Sequence, residues 1–394
     1  MCIRDSDITA HKRIETSLLQ AKRSADEANT AKTIFLTTMS HELRTPLYGM
    51  LGALELFSLT PVTNQQRMYL HAMQQSSSIL LGVVSDTLDI SRIEAGQVKL
   101  DVTPFSPLAL VEEVITAYAA RAERKALNIY SLPDPRIPDA LVGDVTRIKQ
   151  ILNNLMNNAI KFTDAGQVVV RSELLGVADG LVTMAIHVED SGPGIASEDL
   201  IHIFEPFYQV EQDAVLRSGT GLGLSICWRF AQMMGGAMHA NSEVGVGSCF
   251  SLTLSLSVNK DVAVQDTIAL DTVKVYAHSE FGDLSANICD WLATWGASAA
   301  SYDRNLAQDD GQAILLDIVS PRRPVDVTWN GPRVVARLAA TSVDEESKNK
   351  TQLVHIYSVR AIAKAISRVQ PYQEAAEPLP VSYTHLTLPT NREV

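Results

Sequence analysis

The chain has 394 residues, of which 46% are hydrophobic, and a formal net charge of −12 at pH 7. That length accommodates two or three domains, each able to bury a core, and the acidic balance argues against nucleic-acid binding as the main task. No apolar run reaches the roughly 18–20 residues needed to span a bilayer, and the four scattered cysteines (Cys2, Cys227, Cys249, Cys289) form neither a metal-type pairing nor a disulfide framework, which suits a reducing cytoplasm.

Met1–Ser6 reads as neither helix nor strand. Like Val381–Val394 it resembles translated sequencing-adaptor sequence, so the natural protein is expected to extend past both ends. A long helix is expected over 8–58. Its first part, within 7–30, carries the thin apolar seam of a coiled-coil signalling linker, with Ile14, Leu18, Ala21, Ala25 and Ala28. A turn follows at Leu59-Thr60-Pro61. A second helix starts at Thr63, with Gln66 placed for a capping box, and runs to about Ala95 before Gly96. The hairpin over 31–97 must bury its apolar stripes against a second copy, which predicts a four-helix-bundle homodimer.

At about 100° per residue, Leu36, Met39, Leu43, Leu47, Met50 and Leu54 fall between about 160° and 240° from His41. His41 therefore lies opposite the stripe and should face solvent. Glu42 can accept a proton from an imidazole and raise the nucleophilicity of its other nitrogen. Pro46 lacks an amide proton and crowds the Glu42 carbonyl, so a bend is expected just after His41.

From 98 to 258 the pattern changes. Helices at 106–125 and 145–162 alternate with strands at 167–175, 181–190, 237–242 and 248–257. Val182, Met184, Ile186 and Val188 alternate with more polar residues, as in a sheet with one buried face, so an α/β sandwich with helices on one side is expected. In the 145–162 helix Asn154, Asn158 and Lys161 share one edge beside a stripe of Ile148, Ile151, Leu152, Leu155, Ala159 and Phe162. An amide oxygen is a hard ligand suited to Mg²⁺, and a lysine can meet a phosphate.

Asp190 ends a strand and opens Asp190-Ser191-Gly192-Pro193-Gly194. Its carboxylate can accept a hydrogen bond from an adenine amino group, while Gly192 and Gly194 permit close backbone approach. Residues 209–218 make a polar lid. Gly219-Thr220-Gly221-Leu222-Gly223-Leu224 then leads into a helix ending before Gly235-Gly236, and the free amides at its start suit phosphate oxygens. No βαβ unit with an acidic ribose partner follows, which separates this run from a dinucleotide fingerprint. Residues 259–271 read as a linker. Residues 272–370 read as a small βα domain with strands at 272–277, 313–318, 333–338 and 353–357 and helices at 283–295 and 360–369, followed by a non-native tail over 371–394.

Met39-Ser40-His41-Glu42-Leu43-Arg44-Thr45-Pro46-Leu47, with Ala31–Leu36 before it, resembles the phosphoacceptor motif of two-component sensor histidine kinases. Asn154–Thr163, the Asp190 turn, Phe204–Gln209 and Gly219–Leu224 resemble the same family's nucleotide boxes, so the likeness covers 8–258. It implies a multidomain α + α/β protein: a helical-hairpin dimerisation domain, an α/β sandwich ATP-binding domain of the GHKL (Bergerat) type over 98–258, and, for a hybrid kinase, a flavodoxin-like receiver-type domain. It implies that His41 takes the γ-phosphoryl group of ATP, that Glu42 is the base and that Thr45 orients water for dephosphorylating a partner. It also implies Asn154 as Mg²⁺ ligand, Asn158 and Lys161 near the phosphates beside Phe162, and Asp190 with Gly192 and Gly194 at the adenine. Gly219, Thr220, Gly221, Leu222 and Gly223 would then meet the phosphates. The implied partners are a second copy, a response-regulator receiver domain and a histidine phosphotransfer domain. A membrane would be reached only through a missing N-terminal region, and Asp7-Ile8-Thr9 resembles the exit of a PAS sensory domain.

Ile314-Leu315-Leu316-Asp317 resembles the phosphoacceptor strand of receivers. Ala277-His278-Ser279-Glu280 lacks their acidic pair, however, Leu338-Ala339-Ala340 puts alanine where a hydroxyl is expected although Thr341 is close, and Ser358-Val359-Arg360 lacks their lysine. A degenerate receiver that is not phosphorylated is expected. Two alternatives keep the same domains, a pseudokinase scaffold and a GHKL-type ATPase, each binding ATP without forming phosphohistidine.

Overall fold

Few helix breakers interrupt the start of the chain, and it folds as α1 (Arg4–Ser58), with Pro46 inside it. The computed structural model describes residues 4–210, 220–259, 268–303, 313–320, 327–338 and 351–369. Arg4–Ser6 thus belong to a helix, contrary to expectation, because extending a formed helix adds a hydrogen bond for each residue fixed. Met1–Ile3 and Val381–Val394 lie outside the described residues. Thr63 caps α2 (Asn64–Glu94) through the expected box: Thr63 Oγ1 accepts the Gln66 N–H at 3.2 Å, and Gln66 Oε1 accepts the Thr63 N–H at 2.9 Å. Gly96, at φ +64°, follows its end.

Among the described residues of this hairpin only Leu47, Leu70, Leu88 and Ser91 are buried, while Met39, Leu43, Met50, Phe57, Met68 and Met73 stay exposed. One copy therefore leaves most of its apolar stripe in water.

The sandwich follows as β1 (Thr103–Phe105), α3 (Pro107–Arg124), β2 (Asn128–Pro133), β3 (Leu141–Gly143), α4 (Val145–Phe162), β4 (Gln167–Ala178), β5 (Leu181–Asp190), α5 (Ser197–Leu200), α6 (Gly223–Met233), β6 (Ala237–Glu243) and β7 (Gly247–Val258). The strands order β1-β3-β7-β5-β4-β2, with β6 also on β7, and only β2–β4 is parallel. β1, β2 and β3 were not expected. β1 and β3 are too short to show a period, and β2 is buried along nearly its whole length, which removes the alternation.

α4 buries Ile148, Ile151, Leu152, Leu155, Met156, Ala159 and Ile160, but Phe162 departs from the expected stripe and is 40% exposed, with Lys161 Nζ 4.5 Å from its ring centroid. The last turn of α4 is closed from outside: Lys125 Nζ donates to the carbonyls of Ile160, Lys161 and Thr163 at 2.8, 3.0 and 3.1 Å. These are the carbonyls a helix end leaves without internal partners.

The chain forms two compact units, and the second spans 266–394. Its elements are β8 (Lys274–His278), α7 (Gly282–Thr294), β9 (Ser298–Ser301), β10 (Ile314–Val319), β11 (Arg333–Arg337), β12 (Thr351–His355) and α8 (Val359–Val369). The described strands run parallel in the order β12-β11-β10-β8-β9. Numbered within the unit this is 2-1-3-4-5, the flavodoxin-like doubly wound order. Part of the expected linker belongs to this unit, since Leu270 is fully buried and its N–H donates to the Trp295 carbonyl at 2.7 Å. The β9 sequence, Ser-Ala-Ala-Ser, lacks the β-branched and aromatic residues that mark strands, so it went unpredicted. Ala340 and Thr341 lie outside the described residues. No helix among the described residues is long and apolar enough to cross a membrane.

Candidate nucleotide site and phosphoacceptor

Asp190 stands at the last residue of β5, paired with Ser248 of β7. Its Oδ1 accepts the Gly192 N–H at 2.9 Å, which folds the turn back on the strand end. A Cβ on Gly192 would lie 2.7 Å from Asp190 Oδ1 and 3.3 Å from both the Phe162 carbonyl and Thr163 Oγ1. The first glycine turn is thus pressed against the end of α4. Thr163 is fully buried there, and its Oγ1 has no hydrogen-bond partner among the described residues. Gly194 packs as closely on the Glu243 backbone, whose carbonyl oxygen is 2.1 Å from where a Cβ would sit.

The second glycine turn closes the other side. Gly221 adopts φ +70° and lies on the backbone of Phe207, whose N–H donates to the Gly221 carbonyl at 2.9 Å. Gly223 opens α6, and a Cβ on it would sit 2.3 Å from Asn154 Nδ2. Asn154 therefore faces the start of α6, and Asn158 Nδ2 donates to its Oδ1 at 3.2 Å. Lys161, one turn on, has its ammonium pushed below the usual lysine range by burial and by nearby Arg121. Through these contacts Asn154, Phe162, Thr163, Asp190, Gly192, Phe207, Gly221 and Gly223 join into one cradle. Thr220 is part of it: its Oγ1 accepts the Leu222 N–H at 3.1 Å and donates to Asp86 Oδ2, 3.2 Å away on α2. Gly219 lies outside the described residues.

Sequence reasoning missed Asp86, Thr163 and Lys125. Thr163 ends the Asn154–Thr163 run, but only its burial beside Gly192 leaves its hydroxyl unpartnered among the described residues.

The cradle fits a nucleotide with Mg²⁺. Asn154 offers an amide oxygen, Lys161 a cation, and α6 the free amides of a helix start. Among the described residues no group of three or more His, Cys, Asp or Glu could hold a metal by itself. Mg²⁺ keeps waters and substrate phosphates as most of its ligands, so a single amide oxygen is a sufficient protein donor. The unpartnered Thr163 hydroxyl at the wall is the kind of buried group that a water or ligand satisfies.

Burial pushes the Asp190 carboxyl above its ordinary value, opposed by the amides of Gly192 and Ser248. The folded protein then binds this proton more tightly than the unfolded chain. The ionised form weakens the fold at neutral pH, and that cost fades as pH falls through the raised value toward the unfolded one near ~4. Asp190→Asn is expected to raise the Tm of the nucleotide-free protein at neutral pH. The gain over wild type should vanish in acid, as thermal melts across the pH range will show.

His41 and Glu42 are exposed on α1, and Thr45 Oγ1 donates to the His41 carbonyl at 3.1 Å. Leu47, part of the stripe opposite, is buried at 4% exposure. In a single copy the imidazole is exposed together with Met39, Leu43 and Met50 of the opposite stripe.

Residues 31–96 match the model of the His Kinase A (phospho-acceptor) domain, and residues 143–258 match that of the histidine kinase-, DNA gyrase B- and HSP90-like ATPases. The chain is 40% identical over 252 residues to the sensor histidine kinase RcsC of Escherichia coli K12, covering 64% of this chain and 26% of that protein. It is 43% identical over 241 residues to the sensor protein TorS of the same organism, covering 61% and 26%. It thus spans about a quarter of the length of these relatives. Among solved structures, full-length ShkA in complex with AMPPNP superposes with a TM-score of 0.66 at 27% identity, over 85% of this chain and 72% of that one.

Proposed function

We propose that this chain, whose residues 31–96 and 143–258 match the phosphoacceptor and ATPase models, is a sensor histidine kinase that transfers the γ-phosphoryl group of ATP to His41 and then to an aspartate of a response regulator. The observation that carries this reading is the cradle itself: three sequence-distant motifs interlock around glycines that admit no side chain, in a chain that also exposes His41. The likeness to ShkA, solved with AMPPNP, supports ATP as the occupant.

Asp190 accepts a hydrogen bond from the adenine amino group, and Gly192 and Gly194 let the base approach the backbone. Lys161, Asn158 and the turn from Gly219 through Thr220, Gly221 and Leu222 to Gly223 hold the phosphates, with Phe162 beside Lys161. Asn154 is the protein ligand for Mg²⁺, which when bound neutralises phosphate charge. One His41 ring nitrogen attacks the γ-phosphorus, the bond from phosphorus to the β–γ bridging oxygen breaks, and ADP leaves with that electron pair. Glu42 accepts the proton from the other ring nitrogen. Phosphohistidine is a phosphoramidate, so label from γ-labelled ATP is expected to survive base and to be lost in acid. Acid-stable label would place the phosphate on a hydroxyl and reject the assignment.

The exposed stripe of α1 and α2 supports a homodimer, in keeping with a family that dimerises. Thr45 orients water when the phosphorylated regulator is hydrolysed. The region works in the cytoplasm, with a membrane reached only through a region N-terminal to it, and a histidine phosphotransfer domain is a further partner.

The second unit is a degenerate receiver. Asp317 Oδ1 lies 2.8 Å from His278 Nδ1, its Oδ2 pairs with Arg333, and the Asp317 side chain is only 2% exposed. A histidine and an arginine thus engage both oxygens of the Asp317 carboxylate. Incubation with acetyl phosphate and Mg²⁺ is expected to leave Asp317 unmodified by intact mass.

A further inference from the structure

Among the described residues of the phosphate turn, Thr220 bonds to the hairpin, and its partner is an acid. Thr220 Oγ1 accepts the Leu222 N–H and donates to Asp86 Oδ2, so a carboxylate stands one hydrogen bond behind the start of α6. The Leu222 N–H, an amide that could otherwise meet a phosphate, is committed within the turn. Two further contacts hold the sandwich on the same side of α2. Gln150 Nε2 donates to Asp89 Oδ2 at 2.7 Å, and Arg229 lies 3.8 Å from Glu94. Asp86 is half-buried, and burial raises its carboxyl against the opposing Thr220 hydrogen bond, with Asp89 adding to the rise. The carboxylate is thus held at a cost where it stands.

We infer that Asp86 is a positioning residue for the phosphoryl-transfer reaction. Acting through Thr220, it keeps the second glycine turn in a form that disfavours nucleotide phosphates while the sandwich is docked on α2. ATP binding and docking on α2 then oppose one another, and each weakens the other by the same factor. A displacement of α2 would reach the nucleotide through this one hydrogen bond. The inference rests on the reading that this turn receives phosphate.

The test compares ATP and adenosine binding to the full chain by competition against a fluorescent nucleotide. Asp86→Asn keeps the shape and removes the charge. It is expected to tighten ATP binding about five- to tenfold, the size of one removed like charge at partly screened range. Adenosine, which has no phosphate, should change less than about twofold by the same reasoning. Asp86→Glu, which keeps the charge, should stay near wild type. Asp89→Ala cuts the contact with Gln150 without touching the turn and should also tighten ATP, which covers the case that Asp86→Asn folds poorly. Unchanged or weaker ATP binding in both Asp86→Asn and Asp89→Ala overturns the inference, as does an equal change for adenosine, which a merely structural contact would give. In either case wild-type ATP binding leaves the nucleotide site standing. A wild-type chain that binds no ATP removes both.

Discussion

His41→Gln is expected to drop phosphoryl incorporation from γ-labelled ATP to background while leaving ATP affinity within about twofold of wild type. The carboxamide cannot act as a nucleophile, so the loss should be complete rather than partial. Nothing in the packing compensates or confuses the result. His41 is exposed and lies across α1 from buried Leu47, so the substitution removes no core contact and should shift stability by about 0.5 kcal/mol or less. Glu42→Gln separates the two roles. It leaves the nucleophile and removes the base, so the initial rate should fall about 10²- to 10⁴-fold while the same acid-labile product still accumulates. Label that persists in His41→Gln, found by peptide mapping on another residue, would sink the assignment. Loss of ATP binding in that variant would instead show that the ring belongs to the nucleotide site.

What could be read from the sequence follows from how far each feature depends on neighbours in the chain. The extent of α4 was legible because Ile148, Ile151, Leu152, Leu155 and Ala159 repeat at helical spacing, although Met156 and Ile160, buried beside them, were not in the expected stripe. The burial of Leu47 on the side away from His41 was legible because a helix fixes the phase between residues a few positions apart. Phe162 broke that rule at the helix terminus, where the ring turns out to meet Lys161 instead of the core. β1 and β3 were silent because three residues carry no period, and β9 because its small residues lack strand propensity. Within the site, each motif was visible as a run, but their interlocking was not. That Gly223 touches Asn154, or that Asp86 meets Thr220, depends on segments brought together only by folding. Asp86, in a helix rich in polar residues, looks from sequence like any solvated acid.

Gly221→Ala carries the largest expected effect on nucleotide binding, because two independent penalties fall on the same turn. At φ +70° an L-residue pays roughly 1–2 kcal/mol of steric cost. The added Cβ would also sit 2.7–2.9 Å from the Phe207 backbone, closer than real contacts allow, and overpacking of that kind costs about 1–3 kcal/mol more. The neighbour is backbone, tied to Gly221 by the Phe207 N–H, so it cannot rotate away as a side chain would. The turn must therefore shift, and with it Thr220 and the start of α6. ATP affinity should fall about 100-fold or more as the two terms combine. Gly235→Ala supplies the control. Gly235 has nearly the same φ, +71°, but open space around its would-be Cβ, and it follows the far end of α6. That substitution should lower Tm through the conformational term alone and leave ATP binding near wild type. If both alanines weaken ATP equally, the effect comes from the general stability of α6, and the contact between Gly221 and Phe207 plays no part in holding phosphate.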